Sequence, residues 1–365
     1  MSASPANVSK AEAMIGSTHA VAANAAFDEA RLVAYLEGRI PGFSGPIKVE
    51  QFAGGQSNPT YRLTTSDAQY VLRRKPAGVL LKSAHAVDRE FRVTRALFEV
   101  GLPIAEPLVL CEDDDVIGTM FFVMRYVPGR SFWDPMMPGL DPAERAAIYD
   151  SANETLARLH MVDFAALGLS DYGRPGNYFA RQISRWSRQY ESSRTQNIPE
   201  MDRLIEWLPT AIPDTGDTTA IIHGDFSFHN LLIHPTEPRV SAVIDWELST
   251  LGDPLGDLTY HMLEWFRPAG VDVRGTLKGA DLAALGIPDA DEYARRYCER
   301  TGLKSDPTAP FYEAFNLFRV AAILQGIAGR ARDGVQTAEN AQEVITRIEP
   351  LARAAWHAAR EAGAT

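Results

Sequence analysis

The stretch from Ile221 to Asp245 constrains this chain more than any other. It opens with IIHGDFSFHNLLIH and ends with RVSAVIDWE. Apolar runs at Ala220–Ile222, Leu231–Ile233 and Val240–Ile244 bracket the polar residues. The pattern predicts short strands with His223, Asp225, Asn230 and Asp245 at their ends. That set has a definite chemistry. Asp225 can orient a hydroxyl and accept its proton, while Asn230 and Asp245 can hold a divalent cation. Transfer of a phosphoryl group from a magnesium nucleotide needs all three. A lone H-x-D-x-x-x-x-N also describes a polar hairpin turn, since His, Asp and Asn bond readily to nearby backbone. The strand delivering Asp245 favours the first reading, because a kinase brings its metal-binding Asp from such a segment.

Composition narrows the class. A chain of 365 residues can build two cores, and 45% hydrophobic with 23% charged residues is ordinary for a globular protein. The net charge of −11 argues against general nucleic-acid binding. No apolar run approaches the length of a membrane span. Cys111 and Cys298 are far apart and lack metal-type spacing, so they read as reduced thiols of a cytoplasmic protein. The first 26 residues, rich in Ala, Ser and Asn, lack the continuous apolar core of a signal peptide and are expected to form a loosely attached tail.

Along the rest of the chain, a helix pattern opens at Phe27. Strand patterns at Ile47–Phe52 and Thr60–Leu63 flank the turn Gly54-Gly55-Gln56-Ser57-Asn58. A strand through Tyr70-Val71-Leu72 runs into Arg73-Arg74-Lys75, a helical segment covers Ala84–Val100, and an apolar strand from Phe121 breaks at Pro128-Gly129. Helices dominate thereafter. Asp141-Pro142-Ala143-Glu144 is a helix start, with an N-cap Asp, Pro at the first position and Glu in the first turn, and the helix is expected to reach His160. Further helical patterns cover Asp289–Thr301, Pro310–Ala331 and Ala338–Ala359.

The segments GGQSNPTYRL, YVLRRKPAG, HGDFSFHNLLI and VIDWELSTLGDPLGDL together resemble the aminoglycoside phosphotransferase and choline kinase family, small-molecule kinases that share the protein-kinase fold. The likeness runs from about Phe52 to the late helices and is closer still to the branch fused to, or encoded with, acyl-CoA dehydrogenases. It implies an α+β, two-lobed fold: tail 1–26, a β-rich nucleotide-binding lobe 27–127, and a mainly helical lobe 128–365 with the catalytic loop and acceptor site. It also implies ATP or GTP with Mg2+ as cofactors. Asp225 becomes the base or hydroxyl-orienting residue, Asn230 and Asp245 the magnesium ligands, and His223 a brace for the loop. The Gly54–Asn58 turn would lie over the nucleotide phosphates. Arg73 falls where protein kinases carry a phosphate-binding Lys, and Glu90 is its expected partner, although Glu90 also reads as a solvated helix residue. The adenine edge would meet the backbone of Arg125 and Val127, with Met124 lining the pocket behind. Asp253 would cap the following helix and Asp257 would brace the catalytic loop.

Only a short segment separates Asp245 from Pro254, so there is no room for a long activation loop, and a small hydroxylated molecule is the expected acceptor. Arg181, Arg185 and Arg188 recur at helical spacing, flanked by Arg174 and Arg194. Facing a cleft, Arg181 and Arg185 could bind a carboxylate or phosphate, which suits a hydroxy acid or hydroxyacyl thioester. Facing solvent, they would pair with Glu191 or other acids. The alternatives are an antibiotic phosphotransferase of the aminoglycoside type, whose polyamine substrates usually need a dense acid cluster, and a nucleotide-binding module without turnover.

Overall fold

The computed structural model describes residues 16–22, 25–53, 58–76, 86–214, 218–272, 274–334 and 341–365. The chain is α+β, with an antiparallel sheet in its N-terminal part and helices in its C-terminal part. The sheet has six strands in the order β1-β2-β3-β4-β6-β5. They are β1 (Thr18–His19), β2 (Lys48–Phe52), β3 (Thr60–Thr64), β4 (Gln69–Arg74), β5 (Pro107–Cys111) and β6 (Phe121–Arg125). Strand β4 lies inside the sheet, and every residue from Tyr70 to Arg74 is buried. Side chains alternate across a strand, which sorts its residues between two packed layers. Tyr70 and Leu72 join a core with Leu32 and Leu36 of helix α1 (Glu29–Leu36). Arg73 pairs across the ladder with Phe122, which packs under helix α2 (Val87–Glu99) through Val87 and Phe91. The alternation therefore turns Arg73 toward α2, the helix that carries Glu90.

The tail needs a correction. Thr18–His19 is not loose: it pairs with Phe52 and Gln51 as the outer strand of the sheet. Thr18 and Glu50 both receive the Arg62 guanidinium at 2.9 Å, and the Ala25 carbonyl accepts from Tyr61 and Arg74. Two paired residues leave too short a pattern for periodicity to reveal. Residues 1–15 lie outside the described part.

The C-terminal part holds α3 (Pro142–His160), α4 (Tyr178–Ser193), α5 (Pro199–Trp207), α6 (Pro254–His261), α7 (Ala290–Thr301), α8 (Pro310–Arg332) and α9 (Ala341–Glu361), with single-turn helices between them. Helix α3 starts and ends where its capping residues say it should: Asp141 accepts from the Glu144 amide at 2.9 Å. Among the described residues, no helix is long and apolar enough to cross a membrane.

Two small antiparallel sheets place the polar motif. Strands β8 (Leu231–Ile233) and β9 (Val240–Val243) pair Leu231 with Val243. Asn230, just before β8, and Asp245, two residues past β9, thus emerge at the same end. The Ile244 amide donates to the Asn230 carbonyl at 2.9 Å. Strands β7 (Ala220–Ile222) and β10 (Thr250–Gly252) pair Ile222 with Thr250, which brings the His223–Asp225 loop beside Glu247–Ser249.

Candidate active site

The His223–Asp225 loop is held by backbone contacts to buried groups. Asp257, fully buried on α6, accepts from the His223 amide and, at 2.7 Å, from the Gly224 amide. Burial works to raise its pKa, but hydrogen bonding and charge from His160 and the proximity of His223 outweigh it and hold the carboxyl below the usual range. His223 is also fully buried. Its Nδ1 accepts from the Asp225 amide at 3.2 Å and its Nε2 donates to the Ile244 carbonyl at 2.9 Å. Those partners orient the ring and tie the loop to β9, so the residue is a brace. Gly224 adopts φ +86°, and a Cβ there would stand 2.6 Å from the Leu248 carbonyl oxygen, so both conformation and space require glycine.

Asp225 stands at the loop's tip, its side chain about a quarter exposed. The Asn230 amide nitrogen donates to its backbone oxygen at 2.9 Å and to its Oδ2 at 3.2 Å. With Nδ2 so committed, the Asn230 Oδ1 is left as a cation donor. His229 lies 4.0 Å from the same Oδ2. Burial and then the Arg274 charge depress the His229 pKa to about 4. The Tyr260 hydroxyl lies beside Asp225, and its pKa is raised by burial and then by that carboxylate.

Asp245 opens the second half of the site. Its φ and ψ of 66° and 62° are left-handed, an arrangement that costs energy for a residue with a Cβ and concentrates at functional sites. Its carboxylate meets the Arg73 guanidinium at 2.7 Å. The same guanidinium reaches Glu90 Oε2 at 2.9 Å through Nε and Glu247 Oε2 at 3.2 Å through Nη2. One buried cation from β4 thus serves three carboxylates, one contributed by α2 and two by the turn after β9. Burial pushes Glu90 up to about 7 against the pull of Arg73, with the shared acids Asp245 and Glu247 adding to the rise. Arg73 stays protonated: burial disfavours its charge, but the three acids more than compensate.

The predicted residues divide by place. Asp225, Asn230, Asp245, Arg73 and Glu90 lie in one connected network, with His223 and Asp257 behind it. Asp253 caps α6 as expected, accepting from Leu255 at 2.9 Å. Gly54, Gly55, Gln56 and Ser57 lie outside the described residues. Asn58, the end of that turn, is buried and directs Nδ2 toward Glu247 at 3.5 Å. Met124 and Arg125 end β6. The Arg125 amide donates to the Glu106 carbonyl at 2.9 Å, which takes it out of use for a base edge.

Next to the Gly224 loop lies a cavity of about 610 Å³, within the range of small-molecule sites. Arg181 and Arg185 line it, together with Arg89 from α2, Arg174, and Arg319 from α8; among the described residues Glu247 is its one acid. The stripe does not pair with Glu191. Arg181 donates to the carbonyls of Gly176 and Arg174, and Arg185 lies over the Trp186 ring. Arg188 bonds to the Ser184 carbonyl and is exposed, while Arg194 pairs with Asp202. Sequence reasoning missed Glu247, His229, Tyr260, Arg89 and Arg319. For Arg319 a signal existed: it is a single cation inside the otherwise apolar run Leu317–Leu324.

The fold and this network define a kinase-like phosphotransferase. Residues 48–297 match the Phosphotransferase enzyme family, and the chain belongs to it. It is 43% identical to mouse acyl-CoA dehydrogenase family member 10 over 98% of this chain and 34% of the relative. It is 44% identical to chicken acyl-CoA dehydrogenase family member 11 over 89% of this chain and 43% of the relative. The chain therefore spans less than half the length of these relatives, consistent with the dehydrogenase-associated branch. Among solved structures, one from Ralstonia eutropha JMP134 that bears a provisional aminoglycoside phosphotransferase name matches with TM-score 0.85 and 47% identity, covering 92% of this chain and 99% of the other. The spectinomycin phosphotransferase APH(9)-Ia, solved with ADP and spectinomycin, matches with TM-score 0.58 at 12% identity over 91% of this chain and 99% of its own, a likeness of fold. The chain is thus a member of a phosphotransferase family with the fold of the small-molecule kinases.

Proposed function

We propose that this chain is an ATP- and magnesium-dependent kinase that transfers the γ-phosphoryl group to an alcohol of a small anionic acceptor, a hydroxy acid or a hydroxyacyl thioester. The observation that carries the reading is the single guanidinium of Arg73 joined to Glu90 and Asp245. It fixes strand, helix and metal-binding acid in one arrangement beside the catalytic loop. In this reading Arg73 and the Gly54–Asn58 turn receive the phosphates, and Val127 offers its backbone to the base, with Met124 behind it. The donor set suits magnesium, which usually takes one or two protein oxygens and completes its shell with phosphate and water. Asp245 and the Asn230 Oδ1 would hold it, and its charge would offset that of the phosphates. Asp225 orients the acceptor hydroxyl and takes its proton as the oxygen attacks phosphorus.

The acceptor class draws on the arginines of the cavity, Arg181 and Arg185 among them. Their charge would repel the polyamines that antibiotic phosphotransferases accept, so the aminoglycoside reading is the weaker one. The complete Asp225, Asn230 and Asp245 set argues against a module without turnover. An ATP-consumption screen over hydroxy acids, hydroxyacyl thioesters, choline-like alcohols and aminoglycosides tests the assignment. Turnover confined to the anionic hydroxy compounds is the expected result. Turnover confined to aminoglycosides would replace the acceptor, and no turnover with any alcohol would favour the silent module.

A further inference from the structure

Arg319 is the least explained charge in the molecule. It sits on α8, beyond the span matched by the family, in a helix whose neighbouring residues are apolar and buried. The side chain is 4% exposed and forms no ion pair with any described carboxylate. Its Nη2 donates to the Gly224 carbonyl at 2.5 Å, and the Tyr260 ring covers its guanidinium at 4.4 Å. Its Nε and Nη1 have no hydrogen-bond partner among the described residues. A buried N–H without a partner is costly, and a buried guanidinium without an acid more so. Those two nitrogens are closed off from solvent, but the side chain lines the cavity, and its uncompensated charge makes physical sense if an anionic ligand in that cavity supplies the counter-charge.

The surroundings indicate what kind of ligand. Of the five arginines on the cavity, none is ion-paired with a described carboxylate. Arg89 is spent on the Tyr172 and Ser249 carbonyls, and Arg181 on those of Gly176 and Arg174. Carbonyls satisfy N–H groups without cancelling charge. The lining acid, Glu247, is shared with Arg73. A single carboxylate would leave most of this positive charge uncompensated. A phosphate ester, with up to two negative charges and three free oxygens, matches it better, and the guanidinium fork suits its geometry.

We propose that Arg319 is the anion receptor of this cavity, and that with Arg185 and Arg174 at the rim it binds a phosphate group carried by the acceptor, away from the hydroxyl that reacts. The assignment rests on the kinase reading for its meaning, but its binding test does not. The probes are 4′-phosphopantetheine and pantetheine, which differ by one phosphate, and inorganic phosphate. Each is titrated calorimetrically into the full chain already saturated with AMP-PNP and magnesium, so that the nucleotide site is occupied.

Phosphopantetheine is expected to bind at least about tenfold more tightly than either pantetheine or inorganic phosphate. That preference should fall in Arg319→Lys, which keeps the charge but loses the fork, and in Arg185→Ala, whose exposed position spares the fold. Equal affinity for the two pantetheines overturns the proposal, as does a preference that survives both substitutions. Inorganic phosphate binding as tightly as phosphopantetheine would make the site one for a free anion and remove the acceptor-borne assignment. Asp225→Asn separates the two readings. It should keep the phosphate preference while losing phosphoryl transfer; unimpaired transfer would sink the kinase reading and leave the anion site standing.

Discussion

The two sides of this cleft handle positive charge in opposite ways. On the side proposed for the nucleotide one buried arginine, Arg73, meets three carboxylates. On the side proposed for the acceptor five arginines share a cavity in which Glu247, the one acid among the described lining residues, is already engaged elsewhere. The first arrangement is complete within the protein and serves as a strut between strand, helix and Asp245. The second is incomplete. Like charges about 4 Å apart repel by about 4 kcal/mol at the effective dielectric of a protein surface, and by less as they separate; an anionic ligand relieves such repulsion. In the proposed reading, compensation marks the parts that hold the site together, and its absence marks the parts that receive the acceptor.

The contrast can be broken from either side. Asp245→Ala removes the carboxylate proposed to hold the metal and is expected to lower turnover about 10²- to 10³-fold, checked by initial rates across a magnesium series; a rate within threefold of the parent would contradict the role. Arg73→Ala leaves Glu90 buried without its cation. Removing one partner of a buried pair costs about 3–5 kcal/mol, readable as a lower midpoint in urea unfolding together with weakened nucleotide binding. Unchanged stability would mean that Arg73 is no strut.

Asp257→Asn is expected to cost about 3 kcal/mol by the same reasoning, and it carries a pH signature. The folded-state pKa of Asp257 lies below its ordinary value, so its contribution is present at neutral pH and is lost as pH falls below about 4. The Asn variant should therefore show a flatter acid limb in stability measured against pH, and a parallel limb would contradict the assignment. The smallest effect is expected at the rim. Arg185→Ala should leave stability within about 0.5 kcal/mol while raising KM for an anionic acceptor and leaving KM for ATP unchanged. A change confined to ATP would erase the distinction between the two sides.

How much could be read in the chain depended on how local each cause is. Strands β7 and β8 fall on Ala220–Ile222 and Leu231–Ile233, where their apolar runs predict them, because short β-rich runs between turn residues have few alternatives. Helix α3 was equally legible from Asp141 and Pro142. The Arg73–Glu90 pair was expected from the family resemblance rather than from the chain's own pattern, and the alternation of β4 turns Arg73 toward the helix that carries Glu90. The Thr18–His19 strand was hidden, since its order comes from Arg62, Glu50 and the far side of a sheet rather than from its own pattern. The acceptor cavity was half legible: Arg181 and Arg185 share a helix, but Arg89 and Arg319 reach it from helices more than two hundred residues apart, where only tertiary packing brings them together.

The most direct measurement is a paired one on Asp225→Asn: phosphoryl transfer followed by phosphorus NMR, and nucleotide affinity by calorimetry on the same preparation. Removal of a positioned base should reduce transfer by about 10² to 10⁴ with nucleotide affinity within threefold of the parent, because Arg73 and its acids are untouched. Transfer at the parental rate would show that the hydroxyl is oriented elsewhere, and the reading of this cleft would fall with it.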